Sequence, residues 1–563
     1  MTRTRRGQRW LAGLAVGVLG LLTVVLPAPP AVAGGYAVLG GDGSSFAAPA
    51  IDQWATDVQK QGITINYAPD GSAAGRQNYA ENQADFAGTD IQFLTSPDPF
   101  GGGAEVVNLA YSYVPVVAGG TAFMYNLVVG GHTITDLRLS GLTIAKIFTG
   151  AITNWADPAI TRDYGAQLPS QPITVITRSD GSGASYQFTR YLAHEFPALW
   201  NSFCAHNGGP PSNCGPTEFY PNFSGSQQKN GSDQVANYVA SSSYGEGSIA
   251  YDEYSYAKSR SLPVVKLLNA AGYYTLPTAS NVAIALQAAK IDENPNDVNF
   301  LIQNLDGVYG YGDARAYPVS SYSYLVVPRD SRPGTSGPPS RFNNDKGRTL
   351  STWLNYVLCG AQQSAGQLGY SPLPKNLVVG GFEQVLHIPG HVGVPNLDQL
   401  SNCNNPTYSD GVNHLIADAP MPSPCDKIGS PLNCVVRNGQ AASGGSQSAG
   451  SGGGTAGGGS GTSGGGSGGS ANAAGSRGTT PTVSAAGGHG ARPSVDPVTG
   501  QLVNQNGTGT GDGNAASAVP VSLDDRSSGR TLFSILTAVE LLAAVTVPAA
   551  LGIWLQRRRR TTP

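Results

Sequence analysis

The sequence has few charged residues and almost no net charge for its length. Its 563 residues include 33 Lys and Arg against 36 Asp and Glu, which gives a formal net charge of −3 at pH 7. A general nucleic-acid binder needs a basic patch or stripe, and this composition argues against that class. We therefore expect no nucleic-acid partner, and a small ligand or a protein partner fits the composition better.

Hydrophobic residues are nearly missing from one long segment. Gly and Ser dominate residues 438–530, with runs such as Ser451–Gly454, so this segment has too little apolar surface to form a core. We expect a disordered Gly/Ser-rich linker there, with an r.m.s. span of roughly 50 Å for a coil of about 90 residues. The folded part is then about 400 residues long, which is enough for two lobes.

Residues 1–33 have the three parts of a secretory signal peptide. An Arg-rich start precedes an apolar run from Trp10 to Leu26, and the small residues 31–33 precede Gly34. We therefore expect the mature protein to lie outside the cytoplasm. No cysteine follows the apolar run, so lipid attachment at a processed N-terminal cysteine is not supported.

A second apolar run, from Leu532 to Leu555, ends in four arginines at 557–560. It is long enough to cross a bilayer, so residues 531–555 are predicted to form a single transmembrane helix. By the positive-inside rule, residues 556–563 form a basic cytoplasmic tail. No Leu-Pro-x-Thr-Gly motif precedes the helix, so we expect the helix itself to retain the protein. Glu540 marks either a helix partner or the outer interface.

The six cysteines indicate disulfides, because the chain is exported and the spacings do not resemble zinc sites. Proximity in the sequence pairs Cys204 with Cys214 and Cys425 with Cys434, and leaves Cys359 with Cys403. This is one of fifteen possible connectivities.

Short apolar strands alternate with helical stretches between Val38 and about residue 400, which predicts an α/β fold with mainly parallel sheets. The predicted strands include Ile63–Tyr67, Ala122–Tyr125, Ile173–Thr177 and Tyr324–Val327. The predicted helices include Pro49–Gln59, Ile144–Phe148, Ala184–Glu195 and Gly347–Leu358. The apolar stripes on these helices are expected to be core.

Three segments place glycine and serine just before a predicted helix: Gly41–Phe46, Gly71–Gly75 and Ser179–Ala184. Helix N-termini expose N–H groups and a positive dipole end, so each segment can help to bind an oxyanion. A single segment means little, because serine and aspartate are ordinary helix caps. Three in one chain favour an oxyanion site.

Arg178 lies immediately before the third segment, and its guanidinium can fork onto a tetrahedral oxyanion. Asp180, two residues further on, is placed to orient it. A surface ion pair is the alternative for these two residues taken alone. A serine hydrolase is disfavoured, because Gly181-Ser182-Gly183 lacks the G-x-S-x-G spacing of a nucleophile elbow.

Seven segments in order carry a resemblance to a known family. They are Gly41–Phe46, Asn66–Gly75, Asp85–Asp90, Ile147–Trp155, Arg178–Ala184, Gly247–Tyr251 and Leu368–Pro374. Across residues 38–375 the chain resembles the phosphate-binding proteins of ABC-type phosphate importers. The resemblance implies a hinged, two-lobed type II periplasmic-binding-protein fold over residues 34–400. Lobe one would combine residues 38–119 and 317–400, lobe two would be residues 120–316, and residues 401–437 would form a Cys-containing extension.

The resemblance also implies the ligand contacts. The phosphate-binding residues would be Ser45, Phe46, Ser72, Asp90, Arg178, Ser182, Gly183 and Ala184. An ionised Asp90 can only accept hydrogen bonds, so it would meet a proton that phosphate carries and sulfate lacks. The family usually has threonine at Ala184, and losing that hydroxyl removes about 0.5–1.5 kcal/mol unless Ser185 replaces it.

The function implied is reversible capture of inorganic phosphate by a monomeric, non-enzymatic protein without a cofactor, and its delivery to the permease subunits of an importer. Two other readings stay open at this point. One is a surface adhesin built on the same scaffold, because fold does not fix function. The other is a binding protein for a different oxyanion.

Overall fold

In a computed structural model, the structure describes residues 35–396, 400, 403, 405–408, 411–437 and 439–443, and the backbone of residues 494–495 and 502–503. The predicted signal peptide, transmembrane helix and basic tail, and most of the predicted linker, lie outside the described residues. Within the described part of the chain, no helix is long and apolar enough to span a membrane.

The strands are short except for two. They are β1 Leu39–Gly43, β2 Ile65–Ala68, β3 Phe86–Thr89, β4 Tyr111–Asn126, β5 Val128–Val129, β6 His132–Thr133, β7 Arg138–Leu139, β8 Thr174–Arg178, β9 Ser226–Lys229, β10 Ser248–Glu253, β11 Lys266–Leu268, β12 Tyr274–Thr275, β13 Lys290–Ile291, β14 Gln303–Asn304, β15 Ser320–Pro328, β16 Cys434–Arg437, β17 Gln440–Ser443, β18 Ser494–Val495 and β19 Leu502–Val503. The last two form an antiparallel pair of their own.

The helices follow the strands in alternation through most of the chain. They are α1 Ala48–Val58, α2 Ser72–Ala80, α3 Gly141–Phe148, α4 Pro158–Tyr164, α5 Gly183–Glu195, α6 Pro197–His206, α7 Gly231–Ala240, α8 Tyr254–Ser259, α9 Ala279–Ala285, α10 Asp306–Tyr309, α11 Asn344–Val357, α12 Gln362–Leu368, α13 Lys375–Val385 and α14 His414–Ala417. In α1, Pro49 occupies the first turn and Ile51, Trp54 and Val58 are buried, as the helical spacing predicts.

Eight strands form the main sheet, in the order β2-β1-β3-β15-β4-β10-β8-β9. The outer pairs on both sides are parallel, which agrees with the predicted α/β class. The three central pairings, β3 with β15, β15 with β4 and β4 with β10, are antiparallel. The sheet is therefore more mixed than the sequence pattern suggested, because β15 comes from late in the chain and is inserted at the centre.

Strand β4 changes its partner halfway along its length. Residues 111–120 pair with β15, and residues 121–126 pair with β10. At this exchange the backbone is tightly packed: a Cβ on Gly119 would lie 2.5 Å from Glu253 Oε2, and one on Gly120 would lie 2.5 Å from Pro277 Cβ. The exchange falls between residues 120 and 121, and the lobe boundary expected between residues 119 and 120 stays a prediction. We keep the names lobe one and lobe two for its two sides, with the residue ranges given above.

The three predicted disulfides are all present, and they use every cysteine in the sequence. They join Cys204 to Cys214, Cys359 to Cys403, and Cys425 to Cys434. The pairing from proximity was correct because two of the loops close over only 10 and 9 residues.

The Cys-containing extension contacts both lobes in turn. Thr407 Oγ1 donates to Leu373 O in lobe one at 2.8 Å. Further along, Lys266 Nζ of lobe two pairs with Asp426 Oδ1 at 2.7 Å, and Arg138 Nη1 donates to Cys425 O at 3.2 Å. The extension therefore begins on lobe one and ends on lobe two.

A buried ion pair joins the lobes one helical turn after Ser72 on α2. Arg76 Nη2 on α2 of lobe one lies 2.6 Å from Glu218 Oε2 of lobe two, and both side chains are at most 1% exposed. Glu105 also pairs with Arg76, at 3.0 Å. Burial alone would lower the pKa of Arg76, but Glu218 and Glu105 outweigh burial and raise it. The guanidinium is therefore charged and held between two carboxylates.

We predict that Arg76→Met lowers the free energy of unfolding by about 3–5 kcal/mol, because it leaves the buried carboxylate of Glu218 without its counter-charge. Urea denaturation of the variant measures this. The matched control is Arg190→Met, whose partner Asp306 is 49% exposed, and which should cost about 0–1 kcal/mol. Equal, small losses in both variants would show that the buried pair contributes no more to the free energy of unfolding than the more exposed pair does.

Candidate functional site

Four helices each begin directly after a strand of the main sheet, and the strands of lobe one run opposite to those of lobe two. In lobe one α1 follows β1 and α2 follows β2, and in lobe two α5 follows β8 and α7 follows β9. Within each lobe the two strands are parallel and adjacent, so their helices start at the same edge of the sheet. The free N–H groups and positive ends of these helices favour an anion there.

Asp90 lies directly after β3 and is buried, with its side chain surrounded by hydroxyl groups. Its Oδ1 accepts from Ser323 Oγ at 2.6 Å, Ser44 Oγ lies 2.9 Å from both carboxylate oxygens, and Ser72 Oγ donates to Oδ2 at 3.1 Å. Burial raises the pKa of Asp90, and the hydrogen bonds from Ser323, Ser44 and Ser72 and the charge of Arg178 offset part of the rise. An ionised carboxylate has about four acceptor positions, so three hydroxyl donors leave it room for another.

Arg178 ends β8 and is 1% exposed, with every N–H of its guanidinium directed at a polar partner. One edge, Nε and Nη2, forms a two-pronged contact with Asp180, with Nε 2.9 Å from Oδ1. The other edge contacts Ser45 Oγ from Nη2 at 2.8 Å and Ser232 Oγ from Nη1 at 3.0 Å. Nη1 also lies 3.5 Å from Asp252 Oδ2.

The charges around Arg178 keep it ionised. Burial alone would lower its pKa, but the carboxylates of Asp180 and Asp252 outweigh burial and raise the pKa. Burial works to raise the pKa of Asp180, and Arg178 reverses this and lowers it below its usual range. The predicted partnership between Arg178 and Asp180 is thus present, and it is a buried ion pair and not a surface one.

The lobes meet at these groups. Ser45 Oγ of lobe one lies 2.8 Å from Ser232 Oγ of lobe two, and the Ala73 N–H donates to Gly181 O across the cleft at 3.1 Å. The approach is closest at Gly183, where an added Cβ would lie 2.3 Å from Asp90 Oδ2 and 2.7 Å from Ser72 Oγ. Only a glycine fits at this position with the lobes so close.

The structure brings the predicted site residues together on the two facing sides of the cleft. Ser45, Ser72 and Asp90 lie on lobe one with the backbone of Phe46 at the start of α1, and Arg178, Ser182, Gly183 and Ala184 lie on lobe two. All eight are buried. Ser182 is the N-cap of α5, and its hydroxyl accepts from the Ser185 N–H at 3.3 Å.

Ser185 does not stand in for the hydroxyl that Ala184 lacks. Its Oγ lies 2.7 Å from the Tyr251 hydroxyl, on β10. Ala184 is buried and keeps its backbone N–H at the start of α5. The third segment, Ser179–Ala184, therefore offers one side-chain donor fewer than the family pattern.

Sequence reasoning missed four polar residues of this cluster. They are Ser44, Ser232, Asp252 and Ser323. Ser44 was within a quoted segment, and Asp252 directly follows another, so position in the motifs could have suggested both. Ser232 has a local signal, because Gly231 and Ser232 open a helix. Ser323 lies inside a buried strand, and only the central position of β15 reveals it.

Within the described residues, no group of three or more His, Cys, Asp or Glu side chains is placed to hold a metal ion. The cluster instead combines one guanidinium, hydroxyl groups, helix N-termini and acceptor carboxylates. This combination is suited to an oxyanion that carries a proton, because it offers donors on most sides and an acceptor on one.

Comparison with known proteins agrees with this chemistry. A family model described as a PBP superfamily domain matches residues 28–360. The chain belongs to the PBP superfamily. This superfamily consists of substrate-binding proteins and not of enzymes. The match covers both lobes up to α11 and ends before the Cys-containing extension.

Individual relatives narrow the family. The phosphate-binding protein PstS 3 of Mycobacterium leprae is 30% identical over 348 residues, which cover 61% of this chain and 84% of that protein. The phosphate-binding protein PstS of Xylella fastidiosa is 29% identical over 344 residues, 60% of this chain and 82% of that one. Among solved structures, a phosphate-binding protein from Stenotrophomonas maltophilia aligns with a TM-score of 0.45 and 18% identity over 67% of this chain and 99% of that chain. This PBP chain is a member of the PstS family by sequence.

We predict that Gly183→Ala holds the lobes apart, because the new methyl group would collide with Asp90 and Ser72. Small-angle X-ray scattering should show a larger radius of gyration than for the parent protein. The matched control is Gly366→Ala in α12, where the nearest neighbour of the new Cβ is Ala279 Cβ at 3.9 Å. The control should keep its dimensions and gain about 0.4–1 kcal/mol of stability. Unchanged scattering in both variants would contradict the close approach at Gly183.

Proposed function

We propose that the chain binds inorganic phosphate reversibly outside the cytoplasm and delivers it to an ABC-type importer. The observation that carries the proposal is that Arg178 from one lobe and Asp90 from the other face the same cleft, among four helix N-termini. The names of the PstS relatives support phosphate as the ligand. No covalent step is required, because capture needs only hydrogen bonds and charge.

The proposed contacts divide between the lobes. Lobe one donates from the Ser45 hydroxyl, the Phe46 N–H and the Ser72 hydroxyl, and Ser72 would turn its one proton from Asp90 Oδ2 to the ligand. Lobe two donates from the outer edge of Arg178, the Ser182 hydroxyl and the N–H groups of Gly183 and Ala184. In the arrangement described above, Ser45 contacts Arg178 and Ser232, so phosphate would compete with the Ser45 hydroxyl for the guanidinium edge.

Asp90 supplies the discrimination in this proposal. Its remaining acceptor position suits a P–OH group, which phosphate carries at neutral pH. Sulfate has no proton there, so it would place a lone pair against a buried carboxylate. Leaving such a buried polar group unpaired costs about 1–3 kcal/mol.

We extend the proposal to location and partners. Residues 1–33 would direct export, residues 531–555 would anchor the chain as a single-pass membrane protein, and residues 556–563 would stay in the cytoplasm. The head would act as a monomer and meet the permease subunits at the membrane surface. A surface adhesin on this scaffold would not need Asp90 and Arg178 in one cleft, so their convergence favours the transport role.

Calorimetric titration of the full-length protein with phosphate and with sulfate near neutral pH tests the proposal. The protein must be free of bound anion and folded. We expect tight phosphate binding, weak sulfate binding, and a loss of about a hundredfold or more in phosphate affinity for Arg178→Ala. Arg190→Ala, at a surface ion pair, is the matched control and should bind normally. No heat and no thermal stabilisation with either anion would reject phosphate capture.

Asp90→Asn isolates the acceptor role. The amide keeps the shape of the side chain but adds a donor and removes the charge, so a proton on the ligand loses its dedicated acceptor. We expect the preference for phosphate over sulfate to narrow by about tenfold or more, measured by the same titrations. An unchanged preference would remove Asp90 from the discrimination.

A further inference from the structure

Ser232 connects the two lobes at the guanidinium. It lies in the first turn of α7 and is fully buried. Its Oγ lies 2.8 Å from Ser45 Oγ, 3.0 Å from Arg178 Nη1 and 2.7 Å from Asp252 Oδ1. The Ser232 hydroxyl therefore contacts two proposed phosphate-binding residues, Ser45 of lobe one and Arg178 of lobe two, and the carboxylate of Asp252.

The contacts of Asp252 fix where the Ser232 proton goes. Asp252 Oδ1 accepts from the Glu253 N–H at 2.8 Å as well as from Ser232, and Oδ2 faces Arg178 Nη1. Each of these neighbours is a donor, so the ionised carboxylate matches its surroundings and a proton on Asp252 would meet another donor. The single proton of Ser232 therefore points to Asp252.

The direction of this bond makes Ser232 an acceptor on its other side. Arg178 Nη1 donates to it, and the Ser45 hydroxyl, lying at 2.8 Å, has Ser232 as the oxygen that can take its proton. An oxyanion that binds the Nη1–Nη2 edge of Arg178 has the Ser232 oxygen as its neighbour. A hydroxyl oxygen has two acceptor positions, so the ligand takes the position that the Ser45 proton leaves when Ser45 turns to donate to the ligand. An unprotonated ligand oxygen there would face a lone pair, whereas a protonated one would donate a hydrogen bond.

The charges around Ser232 also favour a ligand with one negative charge over a ligand with two. The ionisable groups that face this cluster are Arg178, Asp180, Asp252 and Glu253 from lobe two, the hydroxyls of Tyr251 and Tyr256 from lobe two, and Asp90 from lobe one. Arg178 is balanced by Asp180 and Asp252 before any ligand charge is counted. A second negative charge on the ligand is therefore less well compensated than the first.

We propose that Ser232, oriented by Asp252, is a second hydrogen-bond acceptor of the anion site and that, with Asp90, it selects the dihydrogen form of phosphate. This inference rests on the proposed function. Asp90 receives one ligand proton and Ser232 receives the other, so the dianion lacks one of the two matching bonds. Asp252 is a positioning residue in this scheme, because it acts through Ser232.

The test is the pH dependence of phosphate binding by the full-length protein, measured by calorimetry at constant ionic strength between about pH 6 and about pH 8.5. If only the monoanion binds well, the dissociation constant for total phosphate should rise above the second pKa of phosphate and approach about a tenfold increase per pH unit. Ser232→Ala keeps Asp90, Asp252 and Glu253, so its comparison with the parent protein is the one least affected by their titration, whereas removing the charge of Asp252 takes away one cause that raises the pKa of Glu253.

Three variants separate the effect of the orientation of the Ser232 hydroxyl from the effect of the charge of Asp252. Ser232→Ala removes the acceptor, and Asp252→Val frees the Ser232 proton to turn towards the ligand, so both should lose most of the pH slope. Asp252→Asn is the matched control. The Glu253 N–H holds its amide oxygen in the place of Oδ1, so Ser232 stays oriented and the slope should remain. The amide NH2 replaces Oδ2 and loses only the long contact of 3.5 Å with Arg178 Nη1.

A flat profile in the parent protein, or the same slope in Ser232→Ala as in the parent, would overturn the inference while leaving phosphate binding intact. Loss of the slope in Asp252→Asn to the same extent as in Asp252→Val would also overturn it, because charge alone would then explain the effect. If Asp252→Val does not fold, Ser232→Ala and Asp252→Asn decide between these outcomes. No phosphate binding at any pH would instead reject the proposed function itself.

Discussion

The buried ion pair between Arg178 and Asp180 is the contact on which the arrangement of the cleft depends. A guanidinium that is almost fully removed from water needs a carboxylate partner with good geometry, since an uncompensated buried charge is costly. Asp180 takes one edge of the guanidinium and its Oδ1 also accepts from the Gly231 N–H at the start of α7. The same carboxylate thus fixes the arginine and positions the helix that carries Ser232. As a result, the Nη1–Nη2 edge of Arg178 is directed at Ser45 of lobe one and at Ser232.

The parts of the site that are close in sequence were predictable. Arg178 and Asp180 are two residues apart, and each glycine- and serine-rich segment is followed at once by its helix, so local rules of capping and charge were sufficient. The α/β class followed from the alternation of short apolar strands and helices. Asp90 required more, because a lone acid after a strand is uninformative, and only the order of the surrounding motifs identified it.

The rest of the site depends on contacts that no local pattern contains. Ser323 reaches Asp90 across 233 positions of the chain, and Ser232 reaches Ser45 across 187. The sequence also does not indicate which of the adjacent residues Ser44 and Ser45 contacts Asp90 and which contacts Arg178. Ser44 contacts the acid of its own lobe, whereas Ser45 contacts the arginine of the other lobe. The directions of the two side chains after the end of β1 decide this, and these depend on the three-dimensional structure.

The path of the Cys-containing extension has a mechanical consequence. Its first part is fastened to lobe one through Thr407, and its last part is fastened to lobe two through Asp426 and Cys425. The chain therefore leaves the described head from lobe two. A pull on the chain beyond this point would therefore reach lobe two before lobe one.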